Sequence, residues 1–140
     1  MGHFRDEWKA DPDWRNLACQ IVRGRASDRE GETEMIRLWV KQYVEFRLDP
    51  AGVEYLQDPM ILIDTRAGDC DDMATMAAVL LAALGHEVRP AGVVWAGDRT
   101  ASHAVIVDDT TGLVCDPVSD VPCSMWPNPG YKVDRLVLGP

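Results

Sequence analysis

The 140-residue chain is poor in positive charge: 14 Lys and Arg stand against 23 Asp and Glu, giving a formal net charge of −9. Phosphate binding needs clustered Lys and Arg, so a nucleic-acid partner is excluded, and an anionic membrane surface is disfavoured for the same reason. Long apolar runs are also missing. The longest, Met73 to Leu84, is 12 residues interrupted only by Thr75, against the roughly 20 needed to cross a bilayer. No basic start leads into an early apolar segment, so no secretory signal is expected. Cysteine is sparse, with Cys19, Cys70, Cys115 and Cys123 and no Cys-x-x-Cys pair. The three histidines, His3, His86 and His103, form no His-x-x-x-His pair. A zinc site made of Cys70, Cys115, His103 and Asp116 is therefore the weaker reading of those residues. Free thiols in a reducing, cytoplasmic compartment are expected.

What is present fits one folded domain. The length suits a single core, and 46% hydrophobic residues are enough to fill it. Residues 1–12 read as a loosely held lead-in. Asp13 is an expected N-cap for a helix over about 14–24, with Trp14, Leu17, Ala18, Ile21 and Val22 at helical spacing. A second helix begins at the Ser27-Asp28-Arg29-Glu30 box or just after Gly31 and runs to about residue 47. Asp49-Pro50-Ala51-Gly52 reads as a turn. Val53 to Thr65 reads as an irregular connector with one helical turn.

The centre of the pattern is Gly68-Asp69-Cys70-Asp71-Asp72 and the apolar run behind it. Asp69 is placed to cap a helix and Asp72 falls in the reciprocal capping position. Cys70 is then the first helical residue and Gly85 the stop. A helix apolar on all sides is a buried one. The three aspartates invite comparison with a divalent-metal site, but capping and helix-dipole complementarity account for them. After Gly85 the periodicity changes to strands over Glu87–Ala96, Ser102–Val107 and Leu113–Asp116. A last strand, Lys132–Leu138, lies inside a surface-wrapping segment over 119–140. Helices followed by an antiparallel meander predict an α+β fold.

Cysteine, histidine and aspartate in that order are candidate nucleophile, base and orienting group. With a four-residue loop over 108–111, the hairpin would set His103 opposite Asp116, close enough for the carboxylate to hold one imidazole nitrogen. A thiol at a helix N-terminus faces unpaired backbone N–H groups that favour the thiolate. Asp69, Asp71 and Asp72 oppose that, so a protonated His103 nearby is necessary to the reading. Cys115, Cys123 and most of the tryptophans read as spectators, and His86 as a solvated residue at the helix end.

Taken together, Gly-Asp-Cys-Asp-Asp before an alanine-rich helix, His103 at a strand start and Cys115-Asp116-Pro117 closing the next strand resemble the transglutaminase-like superfamily of papain-like thiol enzymes, over about residues 43–118. The resemblance implies a papain/transglutaminase-like core in which a buried helix carries the cysteine onto an antiparallel sheet. It carries over Cys70 as nucleophile, His103 as general base and Asp116 as orienting carboxylate. It further implies an oxyanion donor or aromatic wall, for which Gln57, Tyr43 and Trp95 are the candidates. The Asp49-Pro50 turn with Glu54, Gln57 and Pro59 is similar to small forms found in phage structural gene clusters, which would place the protein with a virion. The extra domains of animal transglutaminases have no counterpart here, which argues against calcium control and makes protein crosslinking an alternative rather than the first expectation. The implied chemistry is thiol acyl transfer on a protein or peptide substrate, with no cofactor and no metal, and hydrolysis of a peptide or isopeptide amide is the first expectation. Transfer to an amine, or a structural assembly protein that keeps the triad as a relic, are the alternatives.

Overall fold

The computed structural model describes residues 11–48 and 58–138. The Asp49-Pro50 turn, Glu54 and Gln57 lie outside these residues. Helix α1 (Pro12–Val22) is capped by Asp11, whose side chain accepts from the Asp13 and Trp14 amides, with Pro12 in the first turn. This is two residues ahead of the expected cap. Proline needs no N–H partner there and presets the helical φ, so the start shifts to it. Helix α2 (Arg29–Tyr43) is capped by Asp28 on the Gly31 amide. It stops short of residue 47 because Val44 is extended and Glu45–Phe46 (β1) pairs in parallel with Ala67–Gly68 (β2). The connector before β2 holds more helix than expected: α3 (Pro59–Thr65) is closed by Arg66 in a left-handed conformation.

Helix α4 (Cys70–Ala83) is the core of the molecule. Every residue from Met73 to Ala83 except Thr75 is buried. Leu80 and Leu81 are wholly buried, and each such side chain stabilises the fold by about 1.5–3 kcal/mol. Helices α1 and α2 supply Trp14, Ala18, Ile21, Ile36 and Val40 to the same cluster, and the sheet supplies Val88, Ile106 and Cys115. Gly85, at φ 91°, ends the helix where a side chain would be strained.

The sheet is four antiparallel strands in the order β5-β4-β3-β6: β3 Val88–Trp95, β4 His103–Asp108, β5 Leu113–Cys115 and β6 Val133–Leu138. Pro90 lies just outside the β3–β6 ladder, which begins at Ala91. The α+β class is as expected, but the hairpin register is not. Ile106 pairs with Cys115, Val107 with Val114 and Asp108 with Leu113. The loop is therefore 109–112 rather than 108–111. Gly112 takes φ 76° and its amide donates to the Asp108 carbonyl at 2.7 Å, so the left-handed position falls on the one loop residue that adopts it freely. The offset is two residues, which preserves the face of every side chain but sets the line of His103 toward Val118 instead of Asp116. A second, smaller cluster of Ala91, Val93 and Val105 is covered by Trp95, Trp126, Val133 and Leu136. No helix among the described residues is long and apolar enough to cross a membrane.

Candidate active site

Cys70 is placed by the N-terminus of α4. The Asp69 side chain accepts from the Asp72 amide at 3.2 Å, and the Asp72 carboxylate accepts from the Asp69 amide at 3.1 Å, a complete reciprocal box. This fixes the first turn and hence the Cα–Cβ direction of Cys70. Gly68 makes the close approach possible, because a Cβ there would fall 2.8 Å from both Asp72 Cβ and Oδ2. Cys70 is partly exposed.

His103 opens β4 opposite Val93. Its ring lies near-parallel to Trp95, with centroids 6.0 Å apart. Asp116 follows the last ladder pair of β5 and is 4% exposed. It nonetheless reaches His103: Nε2 lies 2.9 Å from Asp116 Oδ2. The same oxygen accepts from Trp126 Nε1 at 2.7 Å, while Oδ1 accepts from the Val118 amide at 3.2 Å. Burial alone would depress the His103 pKa. Hydrogen bonds to Asp116 and Cys70, with their charge, more than offset it and raise it to about 10. Since Nε2 is taken by Asp116, Nδ1 is the ring nitrogen left for the Cys70 thiol.

Two recesses meet at His103. One, about 350 Å³, is lined by Cys70, Asp71, Pro90, Gly92, Ala101, His103 and Val137, and is walled chiefly by small side chains. The other, about 290 Å³, mixes the rings of Trp95, Trp126 and Tyr131 with polar groups, among them Ser102, Asp116 and Asn128, and also reaches His103.

The structure thus brings Cys70, His103, Asp116 and Trp95 together. Tyr43 is not brought there. Its hydroxyl donates to the Ile63 carbonyl at 2.6 Å, its ring stacks on Trp39, and the Arg66 guanidinium covers it. It ties α2 to α3, and it lines neither recess. Gln57 lies outside the described residues. Trp126 carries no mark in the sequence: it sits in a Pro-, Asn- and Gly-rich stretch without periodicity. His86 is not the solvated end residue expected: it is wholly buried, with Nδ1 2.7 Å from Asp108 and Nε2 2.8 Å from Glu32. Cys115 and Cys123 are buried, and interaction with Cys123, together with burial, pushes the Cys115 thiol well above its usual range. Among the described residues no three His, Cys, Asp or Glu side chains stand together to hold a metal ion.

No curated protein matches this chain. Among solved structures it resembles a candidate cysteine protease from Cytophaga hutchinsonii (17% identity, TM-score 0.59), covering 89% of this chain and 41% of that one. It also resembles a candidate protease from Parabacteroides distasonis (13% identity, TM-score 0.58), covering 86% of this chain and 26% of that one. The chain therefore spans well under half the length of either. LapG of Legionella pneumophila, in its EGTA-treated form, matches with 16% identity and TM-score 0.63 over 99% of this chain and 85% of that one. At these identities the likeness is one of fold. The sequence model described as the transglutaminase-like superfamily matches residues 15–114, which is most of the chain, and this protein belongs to that superfamily.

Proposed function

We propose that this protein is a thiol-dependent acyl-transfer enzyme that hydrolyses a peptide or isopeptide amide, with Cys70, His103 and Asp116 as nucleophile, base and orienting group. The observation that carries the reading is that one imidazole is shared: His103 is bonded to Asp116 through Nε2 and interacts with the Cys70 thiol. A buried carboxylate on one nitrogen fixes the ring and its tautomer and aims the other nitrogen at the thiol. Held cationic, His103 is the counter-charge a thiolate requires.

The Cys70 sulfur attacks the carbonyl carbon and the C–O π pair moves to oxygen. Backbone N–H groups of the first turn of α4 face that oxygen, which is where orphan helix donors lie. The tetrahedral adduct collapses, the C–N bond breaks, and His103 gives its proton to the departing amine. Water then attacks the thioester while His103 takes its proton. The second adduct collapses, the C–S bond breaks, the acid leaves, and the Cys70 thiolate and His103 imidazolium are restored. A primary amine in place of water would turn the same route into amine transfer. The likeness to two candidate proteases is what favours water.

The test is iodoacetamide alkylation of each cysteine against pH, read by mass spectrometry, in the native protein and in His103→Ala. The reading expects Cys70 to react below pH 7 at least about ten-fold faster than exposed Cys19, and expects that advantage to vanish in the variant. Equal rates at Cys70 and Cys19 would sink it.

A further inference from the structure

We infer that Trp126 is a positioning residue of the triad: its indole N–H, and not the sheet, fixes Asp116 in line with His103. The inference rests on the triad reading above. The hairpin ladder ends at Ile106–Cys115, one residue before Asp116, and its register does not set Asp116 against His103. The Val118 amide bonds the other oxygen, Oδ1, from two residues along the same turn, and leaves Oδ2, the oxygen that meets His103, to another donor. Trp126 Nε1, at 2.7 Å from Oδ2, is the donor that comes from a different part of the chain.

Trp126 is itself well anchored. Its ring lies 6.4 Å from that of Trp95 and packs on the cluster of Ala91, Val93 and Val105. The segment leading to it is pinned by α2. Buried Arg37 donates to the Ser119 carbonyl at 2.7 Å, Lys41 to the Val118 carbonyl at 3.1 Å, and Glu34 accepts from the Cys123 amide at 3.0 Å. A line of bonds therefore runs from α2 through the C-terminal segment to Asp116, His103 and Cys70. The C-terminal wrapping becomes part of the machinery, although residues 115–138, Asp116 among them, lie beyond the span matched to the family.

An indole donor has two opposite effects on its carboxylate. It aims the oxygen, which strengthens the Asp116–His103 bond, and it drains the oxygen's charge, which weakens it. Positioning requires the first to win. The test compares the native protein with Trp126→Phe, which keeps a ring and loses the donor, and with 3-benzothienylalanine installed at position 126, which keeps the indole shape with sulfur in place of N–H. The His103 imidazole is titrated by NMR, a readout independent of any chemistry at Cys70, and Cys70 alkylation by iodoacetamide at pH 6 is measured alongside. In both replacements the His103 midpoint is expected to fall by about one pH unit or more and alkylation to slow about ten-fold. An unchanged or raised midpoint overturns the inference, whatever Cys70 does. Slow alkylation of Cys70 in the native protein, with the His103 midpoint lowered in both replacements, overturns the thiol-enzyme reading alone. The benzothienyl protein decides the matter if the Phe variant does not fold.

Discussion

His103 and Asp116 are bonded at 2.9 Å although no strand pairing sets them opposite each other. The bond is made by a carboxylate on a turn, reaching back across the end of the sheet. Its strength therefore depends on what holds the turn, and its presence has a signature in pH.

That signature is a stability difference. The His103 imidazole has a folded-state pKa raised to about 10 from its ordinary 6.5, because the cost of burial is outweighed by its bonds to Asp116 and Cys70. A raised cationic group stabilises the fold fully below its unfolded value, and the contribution is lost as pH rises through the folded value. Urea unfolding of the native protein and of His103→Gln should therefore differ most at pH 6, less at pH 8, and least above pH 10. A gap that widened toward alkaline pH would contradict the assignment of His103 as the cation of the pair.

Gly68 is the second point of leverage. Its replacement by Ala would put a methyl 2.8 Å from Asp72 Cβ, within a turn whose reciprocal bonds fix Cys70. Backbone must shift, since Asp72 Cβ is not the end of a flexible chain. Gly68→Ala should cost about 1–3 kcal/mol in urea unfolding and slow Cys70 alkylation, because the first turn of α4 is displaced. Asp69→Ala should cost about 1 kcal/mol through loss of the cap. Normal Cys70 reactivity in Gly68→Ala would show that the box does not set the thiol's position.

Why the sequence disclosed one half of the site and concealed the other follows from the range of the forces involved. The Asp69 cap, the Asp72 return bond and the Gly85 stop act within one or two turns of chain, so the position of Cys70 was legible. The hairpin was not. Asp108 looks like a turn residue, yet it is buried as the end of β4 because Thr33 donates to it at 2.7 Å and His86 meets it at 2.7 Å, partners 75 and 22 residues away. Those partners draw Asp108 into the ladder and move the loop to 109–112. The same distance effect hid His86, whose second partner is Glu32, and Trp126, whose neighbours have no pattern. Tyr43 was a reasonable aromatic wall by position, but the fate of its hydroxyl is decided by where α3 lands.

The recess beside Cys70 depends on Gly92. A Cβ there would fall 2.7 Å from Ala101 Cβ, and a methyl has no rotatable end to move aside. Gly92→Ala should push the Ala101 loop outward while Ser102, bonded to the Val93 carbonyl at 3.1 Å, resists. The recess would narrow beside Cys70 and His103. A bulky maleimide should then lose about ten-fold more rate at Cys70 than iodoacetamide does, since overpacking excludes the larger probe first. Equal losses with both reagents would mean that the recess is not the path to the thiol.

Far from the thiol, His86 lies between two carboxylates, with Asp108 at Nδ1 and Glu32 at Nε2, and its ring is wholly buried. Burial opposes its charge, but the two hydrogen bonds win and raise its pKa above 6.5. Asp108 is lowered below 3.8: burial works against the charge, and the bonds from His86 and Thr33 prevail. The signs are opposite. The histidine's contribution is complete below 6.5 and fades as pH rises, whereas the aspartate's is complete above 3.8 and fades as pH falls. The network therefore stabilises most between those two values. His86→Gln would leave Asp108 buried without its counter-charge, a change that costs about 3–5 kcal/mol in comparable buried pairs. Urea unfolding across pH 3–9 should show that loss, largest between pH 4 and 6.5. Cys70 alkylation in the folded variant should stay near native, because His86 sits just beyond the C-terminal end of α4 and Cys70 opens its N-terminal end. A native-like unfolding curve for His86→Gln would mean that the pair is tolerated rather than stabilising, and that the α2–β4 junction is held by packing alone.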